Sequence, residues 1–326
     1  MKIDVHNHAF PEAVVELVNR EEIYRIDARE GVVRNRQYAP HDLYPSLTDP
    51  AAKIGELERG GLDAAVICVE PGLFCYDVEL EAAERMASTA NSGLADFCAA
   101  FPDRLRWMAQ VPLQAPERAA RVLEEAADAG AVGVEIGTAI ADRWPDEPEF
   151  EPFWAAAERR GLPVFVHPAY NRPHDGLRSY YLQNVIGNPL ATTIFAERMI
   201  CSGTLDRHPR ARLILSHGGG FLPYQVGRLR HARTVRSELA SAPQDPWSYT
   251  RQIFIDTITH DRDALAYLIS RAGADRVVMG TDHPYDMASP SPMAELVAAA
   301  GPEVARRVAE ENPARLFDLE GVVARA

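Results

Sequence analysis

Short runs of β-branched and other apolar residues recur along the chain, and each is followed by a longer segment in which Ala, Leu and Glu repeat with the spacing of a helix face. Eight such runs stand out, at residues 3–5, 64–69, 106–111, 132–136, 163–166, 211–216, 252–256 and 276–280. Eight strand-helix units predict an α/β fold of the (β/α)8 or TIM-barrel type. The helices are punctuated as that reading needs. Residues 117–128 end at Gly130 with Pro116 in the first turn, and residues 263–272 end at Gly273 behind an Asp261 N-cap. Residues 10–48 fit no unit and are expected to form a small insertion after the first strand that caps the barrel mouth. Residues 168–188, after the fifth run, form a second long connection, the kind of loop that carries chemistry more often than stability. Residues 302–319 read as a closing helix with Leu316 and Phe317 as an apolar clasp.

No repeat, low-complexity tract or Ser/Gly-rich linker divides the 326 residues, so residues 1–326 are expected to be a single domain. Apolar residues make up 47% of the chain, enough for a large core. Lys and Arg total 34 against 47 Asp and Glu, a formal net charge of −13, which argues against a nucleic-acid partner or an anionic membrane surface. No stretch approaches the ~18 consecutive apolar residues of a membrane span, and the N-terminus lacks the apolar segment of a secretory signal. Cys68, Cys75, Cys98 and Cys201 form no C-x-x-C pair. A cytoplasmic protein with a small-molecule substrate is expected.

The histidines change the picture. His6 and His8 end the first strand as H-x-H, and the period of two in a strand sends both imidazoles to one side. His167 closes the fifth run, His217 the sixth, and Asp282-His283 the eighth, so five of ten histidines sit at strand C-termini. Barrel enzymes assemble their sites at that rim. His6, His8, His167 and Asp282 together offer a mixed nitrogen/oxygen site for one divalent ion, Zn²⁺ foremost, with Mn²⁺ or Fe²⁺ also suited. Such an ion acidifies a bound water, and His217 on the neighbouring strand is placed as general acid/base. Gly218-Gly219-Gly220 lets the chain turn tightly away.

D-V-H-N-H (4–8) with Phe10-Pro11, A-Q-V-P-L-Q (109–114), G-V-E-I-G (133–137), V-F-V-H-P (164–168), N-P-L-A-T-T (188–193), S-H-G-G-G (216–220), G-T-D-H-P (280–284) and N-P-A-R-L-F (312–317) follow one another through nearly the whole chain. In order and spacing they resemble the amidohydrolase superfamily, and in particular its branch around aminocarboxymuconate-semialdehyde decarboxylase. The resemblance implies a distorted barrel with a small insertion after strand one, often a homodimer. It implies His6, His8, His167 and Asp282 as ligands of one metal, with His217 beside the metal-held water and Asp282 and His217 as the catalytic pair. The activity implied is nonoxidative decarboxylation of a small unsaturated or aromatic acid; the alternative is a metal-dependent hydrolase of a lactone, amide or related carbonyl compound.

Departures from the family pattern bear on the substrate. An Arg-Pro step of the insertion is Tyr38-Ala39-Pro40-His41 here, so Arg34 or Arg36 would have to replace a carboxylate-binding arginine, and His283 stands where a tyrosine is usual. Phe10, Tyr170, Asn171, Arg172, His174, Tyr180, His283 and Tyr285 flank the ligands and are expected to line the pocket, with Arg172 as an anion anchor. Glu135 could bridge a second metal, and Asp256 is expected to hydrogen-bond a ligand imidazole.

Overall fold

A computed structural model describes residues 1–35, 38–169, 175–239 and 244–319. Its strands are β1 (Ile3–Ala9), β2 (Val32–Val33), β3 (His41–Asp42), β4 (Ala64–Val69), β5 (Leu105–Gln110), β6 (Gly133–Gly137), β7 (Val164–His167), β8 (Leu213–Leu215), β9 (Ile253–Asp256) and β10 (Val277–Val278). Strands β1 and β4 to β10 pair in chain order, all parallel, into an eight-stranded sheet. The ends of the sheet meet: Val5 N donates to Met279 O at 2.9 Å, Asp282 N to His6 O at 2.8 Å and His8 N to His283 O at 2.9 Å. This is the expected (β/α)8 barrel. Helices such as Pro116–Asp128 and Arg262–Ala272 cover its outside.

Each of the eight expected runs contains or overlaps a barrel strand, but the first is longer than its apolar signal. Apolar periodicity stops at Val5, whereas β1 continues through His6, Asn7 and His8 to Ala9, all buried. Pairing with β4 explains how. Asp4 faces Ala65 and Asn7 faces Ile67, so β1 holds one extra residue between them. Such a bulge reverses the parity of a strand. Ile3 and Val5 below it belong to the interior apolar floor, and His6 and His8 above it face the same interior.

That floor is built from Ile3, Val5, Val66, Met108, Phe165, Ile214, Phe254 and Val278, with Leu316 and Phe317 of the closing helical segment packed against it. Strand geometry sets the next layer, because a residue two positions further on faces the same side. Above Val66, Met108, Phe165, Ile214 and Phe254 stand Cys68, Gln110, His167, Ser216 and Asp256, all buried. The barrel therefore has an apolar floor and a polar upper layer.

The insertion contains a helix (Glu12–Arg20), the β2/β3 hairpin and a short turn of helix (Pro45–Thr48). Hairpin residues Tyr38, His41 and Asp42 line the cleft that opens above the polar layer. Among the described residues no helix is long and apolar enough to cross a membrane.

Candidate metal centre and cleft

The structure brings His6, His8, His167 and Asp282 together, with one ligand atom from each within 4.8 Å of the others. In each imidazole Nδ1 is engaged: His6 with Asp256 Oδ2 at 2.7 Å, His8 with Val69 O at 2.9 Å, His167 with Pro168 O at 3.1 Å. An Nδ1–H held by an acceptor fixes the tautomer and leaves Nε2 free as a metal ligand. His6 Nε2 and His8 Nε2 lie 3.3 and 3.1 Å from Asp282 Oδ1. Ligands each about 2.0–2.2 Å from one ion stand roughly 3.2–3.6 Å apart in a tetrahedral arrangement, so this spacing fits a divalent cation. His6 Nε2, buried and without a hydrogen-bond partner among the described residues, is the atom such an ion would satisfy.

The electrostatics agree. Burial opposes a charge on His6, but the carboxylates of Asp282 and Asp256 outweigh it and lift His6 to about 10. Burial lowers His8, and His167 is pushed well below the usual histidine range by burial and by the neighbouring imidazoles. Burial alone would raise Asp282, yet His6 and its hydrogen bonds to the histidines hold it well below the carboxylate range. The cluster thus keeps one carboxylate charged and two imidazoles neutral, the forms that bind metal.

His217 stands at the edge of this group, its Nε2 3.6 Å from Asp282 Oδ2. Its backbone φ is +53°, and that of Asp282 is +68°, a left-handed conformation uncommon outside glycine that His and Asp adopt more readily than most residues. Asp256 holds the first bend: its Oδ2 accepts from His217 N at 3.0 Å and its Oδ1 from Gly218 N at 2.7 Å. Gly220 completes the turn with φ +61°, where a Cβ would stand 2.1 Å from Pro189 O. The hydrogen bond from a ligand imidazole to Asp256 is the one the sequence suggested, and the same carboxylate also places His217.

The cleft above has a volume of about 1240 Å³ and is lined by His167, His217 and Asp282 at its base. Tyr285 lines it, as expected, with its ring 5.3 Å from that of His8. Three other expectations fail. Phe10 is fully buried in the core between barrel and helices, because the residue after β1 turns beneath Leu47, whose carbonyl accepts its N–H at 2.7 Å. Tyr180 is 90% exposed and outside the cleft. His283 is half-buried outside the cleft lining, and its backbone N–H donates to Thr281 Oγ1 at 3.1 Å. Tyr170, Asn171, Arg172, His174 and Arg36 lie outside the described residues. Arg34 pairs with Asp27 at 3.4 Å instead of reaching in.

In their place the cleft uses Tyr38, His41, Glu70 and Arg178, which sequence reasoning missed. Tyr38 and His41 were within its reach, since they occupy the departure Tyr38-Ala39-Pro40-His41; Glu70 follows directly on β4 as a strand-end residue. Glu135 is buried, with both oxygens lacking a hydrogen-bond partner, and its carboxylate lies near Cys68 and His8. Burial raises both Glu135 and the Cys68 thiol well above their usual ranges.

The sequence matches the Amidohydrolase family over residues 3–319. The chain belongs to that family. It is 29% identical to 2-amino-3-carboxymuconate-6-semialdehyde decarboxylase of Dictyostelium discoideum, over 76% of this chain and 68% of the relative. It is 31% identical to gamma-resorcylate decarboxylase of Rhizobium radiobacter, over 87% of this chain and 93% of the relative. Among solved structures, 5-carboxyvanillate decarboxylase of Sphingomonas paucimobilis superposes with a TM-score of 0.83 at 26% identity, covering 97% of this chain and 98% of that one. A manganese complex of 5-carboxyvanillate decarboxylase from Novosphingobium aromaticivorans, 21% identical, shares the fold with a TM-score of 0.79, over 98% of this chain and 96% of that one.

Proposed function

We propose that this amidohydrolase-family chain is a metal-dependent decarboxylase that removes CO₂ from a small aromatic carboxylic acid. The observation that carries the reading is the convergence of three imidazole Nε2 atoms on the Asp282 carboxylate at the foot of an open cleft, in a chain whose relatives above are all named decarboxylases. His6, His8, His167 and Asp282 would hold the ion. When bound, it supplies positive charge that fixes and polarises the substrate's oxygens and acidifies a water.

The chain's own residues do the rest. Decarboxylation needs a proton on the ring carbon that bears the carboxylate; the C–C bond then breaks, its electron pair restores the ring and CO₂ leaves. His217 Nε2 lines the cleft 3.6 Å from Asp282 Oδ2, so His217 is the group that would deliver this proton, and the Asp282 carboxylate beside it pairs with its charged form. His217, with its side chain 15% exposed, would regain its proton from cleft water after each turnover. Asp256 holds the His217 backbone, so the acid/base stays at the rim while the substrate changes shape.

Three imidazoles and one carboxylate suit Zn²⁺ and Mn²⁺ alike, and the manganese in the Novosphingobium enzyme favours Mn²⁺ as the first ion to load. We take one ion per chain, a cytoplasmic homodimer, and residues 1–326 as one domain with the insertion over the mouth. The test is to incubate the metal-loaded protein with a panel of aromatic and unsaturated acids, lactones and amides while following CO₂. Gas release that stops with a chelator and returns with Mn²⁺ or Zn²⁺ supports decarboxylation; ring opening or amide cleavage without gas moves the chain to the hydrolases.

A further inference from the structure

Glu70 is the least explained charge in the cleft. Only 2% exposed, it follows β4 directly and caps the short helix Pro71–Phe74. Its two oxygens have different surroundings. Oε1 accepts from Gly72 N at 3.3 Å and Asn35 Nδ2 at 3.4 Å, and stands 3.7 Å from His41 Nε2. Oε2 is buried and has no hydrogen-bond partner among the described residues. The chain makes room for this arrangement, since a Cβ at Gly72 would stand 2.7 and 3.1 Å from the two oxygens. A helix cap needs one oxygen, and a buried acceptor left unmet is costly.

Among the described residues two further polar atoms on the same wall have no hydrogen-bond partner, the Tyr285 hydroxyl and His41 Nε2, the latter within ion-pair distance of Glu70 Oε1. The Tyr285 ring bridges the wall to the metal centre, 5.3 Å from the ring of His8 on one side and 5.3 Å from that of His41 on the other. A group lying here would be on the substrate edge turned away from the ion. Glu70 can only accept a hydrogen bond, whereas the tyrosine hydroxyl can donate and the imidazole can do either. A hydroxyl both donates and accepts, so it meets all of these atoms; a second carboxylate would set like charges together out of water.

We infer that Glu70, with His41 and Tyr285, forms a subsite for a hydroxyl on the substrate ring and excludes a second carboxylate there. This rests on the decarboxylase reading only for the ring acid itself; the subsite is a matter of binding. The test titrates metal-loaded protein with benzoate, the three monohydroxybenzoates and the three benzenedicarboxylates, in wild type and in Glu70→Gln. In that variant the amide oxygen takes the seat facing Gly72 N and Asn35 Nδ2, so an NH₂ donor replaces the free acceptor. The wild type should bind at least one hydroxybenzoate about tenfold or more tighter than benzoate, and every dicarboxylate more weakly. In Glu70→Gln the hydroxyl preference should fall to about threefold or less, and dicarboxylate binding should strengthen.

A preference unchanged in Glu70→Gln, or dicarboxylates bound by the wild type as tightly as benzoate, overturns the inference. Should Glu70→Gln fail to fold because its cap is weakened, Tyr285→Phe, which leaves the cap intact, decides in its place: loss of hydroxyl preference supports the subsite and full retention overturns it. CO₂ is followed in the same samples. Gas without hydroxyl preference leaves the decarboxylase reading standing and removes the subsite; hydroxyl preference without gas does the reverse.

Discussion

At the scale of single residues, the protonation of His6 governs how the metal enters. Its imidazole, lifted to about 10 by two carboxylates despite burial, is charged at neutral pH, and a metal ligand must be neutral. Binding therefore displaces about one proton per site near pH 7–8, and apparent affinity rises with pH until it levels off near 10. Calorimetric titration with Mn²⁺ in buffers of different ionisation enthalpy measures that proton, and a pH-independent affinity between 7 and 9 would contradict it. Asp256 contributes to the same atom. Replacing it with Asn keeps the shape but removes the charge behind His6 Nδ1, and metal affinity should fall roughly 10–100-fold. Equilibrium dialysis of Asp256→Asn against Mn²⁺ checks this without recourse to turnover.

At the scale of elements, the helix Pro50–Arg59 carries a charge into the interior that no apolar pattern announced. Lys53 is fully buried and donates to Asn7 Oδ1 at 2.6 Å and Glu56 Oε1 at 2.9 Å, and Asn7 in turn donates to Asp4 Oδ2 at 2.8 Å. Asp4 also receives Thr281 Oγ1 at 2.5 Å and His6 N at 3.1 Å, so the network ties the helix to β1, which bears His6 and His8, and to the segment after β10, which bears Asp282. Lys53→Met leaves Glu56 and Asp4 buried without their cation and should cost roughly 3–5 kcal/mol, read as a lowered denaturant midpoint. The sequence made the eight strands and the ligand set legible because both depend on local period. It placed His6 and His8 at the end of β1 but hid the bulge between Asp4 and Asn7 that resets parity there. It also hid Lys53, because its partner Asn7, bonded in turn to Asp4, lies in a remote segment and no spacing rule links them, whereas His41 and Glu70 carried a signal that went unused. Phe10 was misread for the converse reason: adjacency in sequence to His8 does not survive the turn that follows the strand.

At the scale of the whole molecule, the metal centre lies across the seam of the barrel. His6 and His8 come from the first strand, Asp282 from the end of the last, and His167 from β7 part-way round. Backbone bonds such as Asp282 N to His6 O already join the seam, and an ion clasping four side chains would reinforce it. At a hundredfold excess over its dissociation constant a ligand stabilises the native state by about 2.7 kcal/mol, so metal should raise the melting temperature by about 5 °C. Hydrogen exchange with and without chelator should place the added protection on β1 and β10. Uniform protection, or none, would show that the clasp does not span the seam.

The double duty of Asp256 has a consequence for how such a protein can diversify. One carboxylate braces the His6 imidazole and the backbone that presents His217, the proposed acid/base, so a change there should disturb cation retention and proton delivery together. Substrate range is free of that coupling. The β2/β3 hairpin and the Glu70 wall touch neither brace, and a lineage acquiring new ring acids could rework that wall while its chemical engine stayed fixed.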